Sequence, residues 1–123
     1  PQMANNYVQP GEVIDWTNGG SAVTAGAVVR IGKILGVALV DIAGSATGAV
    51  QITGVFEVPK VSGAVIAQGE NLTWDASANA FDDNAATPAT GDVTGAPAIA
   101  WEAAGNGVTS FMVKFTGVPG TVT

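Results

Sequence analysis

Three groupings in this chain have residue types and spacing that could do chemistry: ten scattered carboxylates, the Lys60–Ser62 pair, and Asp75, Ser77 and Asn79 at alternate positions. The last resembles the opening ligands of a calcium loop, but position six is Ala80 where glycine is needed, and position twelve is Ala86 where a bidentate glutamate is needed. A turn with side-chain caps is the expectation there. Glycoside hydrolysis could draw a carboxylate pair from Asp15, Glu57, Asp75 and Glu102, although any ten carboxylates offer such pairs by chance. Lys60 with Ser62 mimics a Ser-Lys dyad without an oxyanion-hole signature, and both read as surface residues after a strand-ending Pro59. Gly32-Lys33 falls short of a phosphate loop, because Ile34 follows where a hydroxyl is required and Ala27 replaces the first glycine. The chain has no histidine and no cysteine. Cysteine nucleophiles, Ser-His-Asp triads and Cys/His zinc sites therefore cannot be built from it alone. No catalytic residue, cofactor site or metal site is expected.

Charge narrows the partners. Arg30, Lys33, Lys60 and Lys114 stand against ten acids, for a net charge of −6, and only 11% of residues are charged, against roughly 25% in ordinary domains. Nucleic acid is excluded as a partner, because clustered cations are needed to displace phosphate counterions. An anionic membrane surface is excluded on the same ground. The longest apolar stretch, residues 34–40, is far shorter than the roughly 20 residues of a membrane span, and no secretory leader pattern is present. Pro1 and Gln2 read as a remnant ahead of a native start at Met3.

The elements that must position these residues are strands. Short runs rich in β-branched residues, punctuated by glycine every 8–12 residues, predict an all-β fold. The expectation is a small antiparallel β-sandwich or barrel, jelly-roll-like, with little helix beyond a single turn near residues 77–80. Strands are expected at 12–17, 28–31, 34–42, 49–58, 65–67, 72–74, 98–103 and 109–116, with Phe56, Phe111 and Phe115 in the core. Residues 1–10 read as an extended N-terminal arm, residues 11–123 as one β domain, and residues 82–92 as an exposed loop. A weak internal repeat is visible: Gly36 through a small-residue turn to Val58-Pro59, and again Gly95 through Gly105-Asn106-Gly107 to Val118-Pro119. A hairpin used twice, or coincidence in a glycine-rich β chain, accounts for it equally well.

The aromatic residues outside that core are the candidates for contact. Trp16, Trp74 and Trp101 each neighbour an acid, which suits a carbohydrate platform or a protein interface as well as core packing. Tyr7, on a polar arm, suits a partner groove. The candidate interface is Asn5, Asn6, Tyr7, Val8, Gln9 and Pro10 on the arm, with Trp16 and Trp101.

These stretches also carry a resemblance. Met3 to Trp16 (MANNYVQPGEVIDW), Gly36 to Ile42 with Gly48-Ala-Val, Val55 to Lys60, Gly69 with Leu72 to Asp75, and Ala100 to Ala104 resemble, in order, the small capsid cement or decoration proteins of tailed bacteriophages. Some relatives carry a RecA/RadA-like recombinase label, which this chain contradicts by lacking a phosphate loop, a basic face and the length of an ATPase core. The resemblance implies a non-enzymatic protein without cofactors, made in the bacterial host cytoplasm. It implies placement on the outer capsid surface of the virion, where such a protein bridges major capsid protein subunits. It further implies self-association as a homodimer or homotrimer. The alternative is a β-sandwich binding module for carbohydrate or a host surface, using Trp16, Trp74 or Trp101; an acid-base hydrolase ranks below both.

Overall fold

The computed structural model describes residues 9–123, and the arm residues Asn5, Asn6, Tyr7 and Val8 lie outside that range. The described chain is all-β, with eleven strands in antiparallel sheets that curl into a half-barrel, sandwich-like arrangement. β1 (Val13–Thr17), β2 (Val28–Ile31), β3 (Ile34–Ala38) and β4 (Thr47–Gln51) form one sheet in the order β1-β4-β3-β2. β5 (Thr53–Pro59), β9 (Ala98–Ala100) and β10 (Ser110–Thr116) form a second in the order β5-β10-β9. β6 (Thr73–Asp75), β7 (Ala80–Asp82), β8 (Val93–Thr94) and β11 (Thr121–Val122) form a third in the order β11-β8-β6-β7.

Several strands are shorter than their apolar runs predict. The run at 34–42 stops pairing as β3 at Ala38, and the run at 98–103 stops at Ala100. The run at 49–58 is two strands, because the chain breaks at Ile52 and passes from one sheet to the next. The expected strand at 65–67 is a single bridge from Ile66 to Ala104. The 77–80 turn is the hairpin loop joining β6 to β7.

Two apolar clusters hold these sheets. The larger gathers Val58, Phe111, Val113 and Phe115 with Trp74, Phe81, Leu35 and Val37. Phe111 and Phe115 are fully buried as expected, while Phe56 is half-buried and packs edge-on against Phe115 at 5.9 Å. The smaller gathers Val29, Ala38, Ile42 and Val50, with Trp16 and Ile52 against them. β3 serves both: Leu35 and Val37 face the larger cluster and Ala38 the smaller. A strand buried on both faces explains its near-continuous apolar sequence. Gly36 permits the close crossing, since a Cβ there would lie 2.6 Å from Val50 Cγ1.

The hydrogen bonds show a hairpin used twice, but Val58-Pro59, which the sequence sets against Val118-Pro119, lie in β5 and correspond to Trp16-Thr17 of β1. Val23 and Ile42 exchange backbone bonds of 2.9 and 2.8 Å, and Ile66 and Ala104 exchange bonds of 2.8 and 3.0 Å. The Gly26 amide donates to Ala38 O and Ala38 N to Ala27 O; correspondingly, Gly69 N donates to Ala100 O and Ala100 N to Glu70 O. β1 then pairs with β4 as β5 pairs with β10, placing Val13, Asp15, Ala49 and Gln51 in register with Val55, Glu57, Met112 and Lys114. The two halves diverge between β2 and β3, where the first has a tight turn at Gly32-Lys33 and the second inserts β6, β7 and β8. Their interiors compensate in size. Gly48 leaves room for Ile42, which would meet a Cβ there at 2.5 Å; at the matching positions stand Phe111 and Ala104.

One matched pair carries a test. Ser45 holds a left-handed φ of 67° where its counterpart Gly107 has 92°. A side chain in that region costs about 1 kcal/mol, partly offset by the greater unfolded-state freedom of glycine. Urea denaturation should show Ser45→Gly stabilising by up to about 0.5 kcal/mol and Gly107→Ser destabilising by about 1 kcal/mol. Equal effects of the same sign would break the equivalence.

Candidate functional site

Several of the polar groups nominated for chemistry, Asp75, Glu102 and Lys60 among them, are committed to the fold. Asp75 Oδ1 accepts the Ser77 hydroxyl at 2.8 Å, the Ser77 amide at 3.1 Å and the Ala78 amide at 3.2 Å. Those bonds, the Ser77 hydroxyl foremost, hold its carboxyl below the ordinary carboxylate value by stabilising the charged form. The arrangement caps the β6–β7 hairpin, as a turn reading of residues 75–79 predicts. Among the described residues, no cluster of three or more acids has the placement of a metal site. Of the four carboxylates nominated for hydrolysis, Asp15 lies on β1 and Asp75 at the end of β6, while Glu57 on β5 and Glu102 after β9 both adjoin Met112 of β10. Glu102 is occupied in accepting the Met112 amide at 3.0 Å.

Lys60 departs from its expected surface position. It is 4% exposed, and its ammonium donates to Val61 O at 2.9 Å, Val108 O at 3.2 Å and Ser62 O at 3.4 Å. A buried ammonium needs such partners, and these fasten the segment after β5 to the segment before β10. Asp92, also buried, plays the corresponding role on the loop side. Its Oδ2 accepts the Ala89 amide at 2.9 Å and its Oδ1 the Ala76 amide at 3.1 Å. The loop expected at 82–92 is therefore trimmed at both ends, by Asp82 inside β7 and by the buried Asp92.

The candidate contact residues fall on separate surfaces. Gln9 and Pro10 are exposed and, with Glu12, Val13 and Asp15, line a shallow depression of about 330 Å³. Gln9 Nε2 donates to Val13 O at 3.3 Å, tying this end of the arm to β1. Trp16 lies on the other face of β1, half-buried against the smaller cluster, so it props the sheet. Trp74 is buried, edge-on to Phe81 at 4.9 Å, and is unavailable as a platform.

Trp101 is 50% exposed and belongs to a different sheet. Its amide donates to Met112 O at 3.1 Å, which places it beside β10 on the outward side of the second sheet. There it joins the exposed Val55, Glu57, Met112 and Lys114 and the half-exposed Ile99. A depression of about 460 Å³, lined by Gln68, Ile99, Trp101 and Lys114, opens at this edge. Sequence reading selects Trp101 but misses its neighbours, because the alternation of Phe111, Val113 and Phe115 marks Met112 only as outward-facing.

The arrangement is that of an all-β protein in which Asp75, Glu102 and Lys60 are spent on its own turns and strand ends, while Asp15 and Glu57 lie exposed on two distinct surfaces. Over residues 8–115 the sequence matches the family described as phage cement protein, and the chain belongs to that family. It is thus a member of a structural protein family associated with the phage capsid. No curated protein matches the chain.

Proposed function

We propose that this protein binds the outside of the assembled icosahedral shell and bridges neighbouring major capsid protein subunits, without catalysis. The family match over residues 8–115 carries the reading. Its net charge of −6 supports an exterior position, away from a polyanionic genome. The arm, residues 3–10, and the adjoining surface at Glu12, Val13 and Asp15 meet the shell in this proposal; Trp101, on the other sheet, serves a second contact. Many copies of one modest interface then add to a large restraint. No cofactor, nucleic acid or membrane enters the proposed role.

Deleting residues 3–10 should reduce occupancy on purified shells at least tenfold while the melting temperature of the isolated protein changes little. Unchanged occupancy would remove the arm from the contact. Shells carrying the full-length protein should retain DNA on heating or chelation that empties undecorated shells, and equal release from both would overturn the cement role. The carbohydrate reading loses Trp74 to the core and keeps Trp101 alone as an exposed platform.

A further inference from the structure

The sequence holds two Asn-Gly pairs, Asn18-Gly19 and Asn106-Gly107, and every other asparagine is followed by a residue carrying a Cβ. An Asn-Gly pair can react with itself. The backbone nitrogen of the glycine, unshielded for want of a Cβ, attacks Cγ of the asparagine side chain. A new N–Cγ bond forms, the glycine nitrogen gives up its proton, and Nδ2 takes up a proton and leaves as ammonia. Water then opens the five-membered imide at one carbonyl or the other, giving aspartate or isoaspartate. The sequence of steps consumes one water, releases one ammonia and needs no oxidant or enzyme. It does need a side chain free to turn and a glycine nitrogen free to receive it.

The fold treats the two pairs oppositely. Asn18 is 2% exposed; its Oδ1 accepts the Gly20 amide at 2.9 Å, and its Nδ2 donates to Ser21 O at 2.8 Å and Ile42 O at 3.1 Å. Turning its carboxamide toward Gly19 would break all three bonds in the interior. Asn106 lies in the exposed run from Gly105 to Ser110, and among the described residues no such bonds hold its side chain. A Cβ on Gly105 or Gly107 would meet nothing within 4 Å, so the tip of this loop stands clear of the rest of the protein. Here the restraint falls on the nucleophile instead. The Gly107 amide donates to Ser62 O at 2.7 Å, and its nitrogen cannot attack while its hydrogen is held there.

Lys60 grips both sides of that restraint. Its ammonium donates to Ser62 O, the carbonyl that holds the Gly107 amide, and to Val108 O, one residue beyond Gly107. Freeing the Gly107 nitrogen therefore means parting the loop from a carbonyl that Lys60 also ties down, a local opening rather than a global one. We propose that Asn106 is a site of spontaneous deamidation gated by the Lys60 clasp, while Asn18 is preserved. Each conversion adds a carboxylate to a chain already at −6. Isoaspartate also lengthens the main chain by a methylene beside the Gly107–Ser62 bond. On the cement reading, which the chemistry itself does not need, this loop records the age of a decorated shell.

Prolonged incubation of the isolated full-length protein in mildly alkaline buffer tests it, with tandem mass spectrometry to place the mass gain and isoaspartyl methyltransferase labelling to count isoaspartate. In the folded protein Asn106 should convert about tenfold or more faster than Asn18. In guanidinium chloride, where neither pair is held, the two should convert at similar rates. Lys60→Met should speed conversion of Asn106 about threefold or more and leave Asn18 protected; Lys60→Arg, the milder change, serves if the methionine variant fails to fold. Asn106→Ala should remove most of the methyltransferase label. Equal rates at the two pairs in the folded protein, or a faster Asn18, would overturn the site. An Asn106 rate indifferent to both lysine variants would overturn the gate. A protein that binds shells but keeps Asn106 intact refutes the site alone; one that deamidates as expected but never binds shells refutes the cement reading alone.

Discussion

Replacing Phe81 with alanine should lower the unfolding free energy by about 4 kcal/mol, the cost of a cavity at a fully packed aromatic site. Phe81 is wholly buried, and it links two ring contacts: Trp74 at 4.9 Å and Phe115 at 5.9 Å, both edge-on. Each such pair contributes about 0.5–1.5 kcal/mol beyond area burial. The ring also joins the inserted β6–β7 hairpin to β10, so its removal loosens the insert from the duplicated frame. Phe81→Leu retains much of the volume and should cost less than half as much. Urea denaturation followed by tryptophan fluorescence would report both. A loss below about 1 kcal/mol for the alanine variant would mean the surrounding side chains close the cavity.

Lys60→Met should cost about 2–4 kcal/mol, although methionine replaces the aliphatic stem with little change of volume. The loss comes from the charged donor that Val61 O, Ser62 O and Val108 O share; bonds to a charged group contribute about 1.5–3 kcal/mol, while Val61 O and Ser62 O keep the Ala64 and Gly107 amides as donors. Lys60→Arg keeps the charge but offers a planar fork in place of a compact ammonium. It should recover only part of the loss. Hydrogen exchange should show the Lys60 amide, which donates to Thr109 O at 2.8 Å, opening earlier in the methionine variant. Equal stability of Lys60→Met and the unaltered protein would refute the clasp.

Lys60 and Phe81 also show where sequence reading reaches its limit. In Val58-Pro59-Lys60-Val61, nothing local tells a buried lysine from a solvated one; the deciding acceptor, Val108 O, lies 48 residues away. Phe81 sits between Ala80 and Asp82, in a three-residue strand too short to display alternation. By contrast, β10 shows three buried aromatic and aliphatic residues at alternate positions over seven residues, and its face is legible at once. The all-β class was legible because glycine and β-branched residues punctuate the whole chain. The repeat was legible in its turn residues and obscured by the insert of β6 to β8, which breaks the spacing in one half alone. Of the candidate contacts, Trp101 could be nominated by type, but Trp16 could not be separated from it. Both adjoin an acid, and only the curl of the first sheet turns Trp16 inward.

A strand shared between two cores has a mechanical consequence. Tension entering at the N-terminal end of β1 passes through β4 to β3, and β3 is embedded in both the smaller and the larger cluster. The first half cannot peel away while the second stays intact, because withdrawing β3 exposes Leu35 and Val37 from the larger cluster. Pulled by its two ends, the protein should fail in one rupture. In the bridging role proposed above, a shell under internal pressure would meet a fastener that holds its full length until it yields altogether.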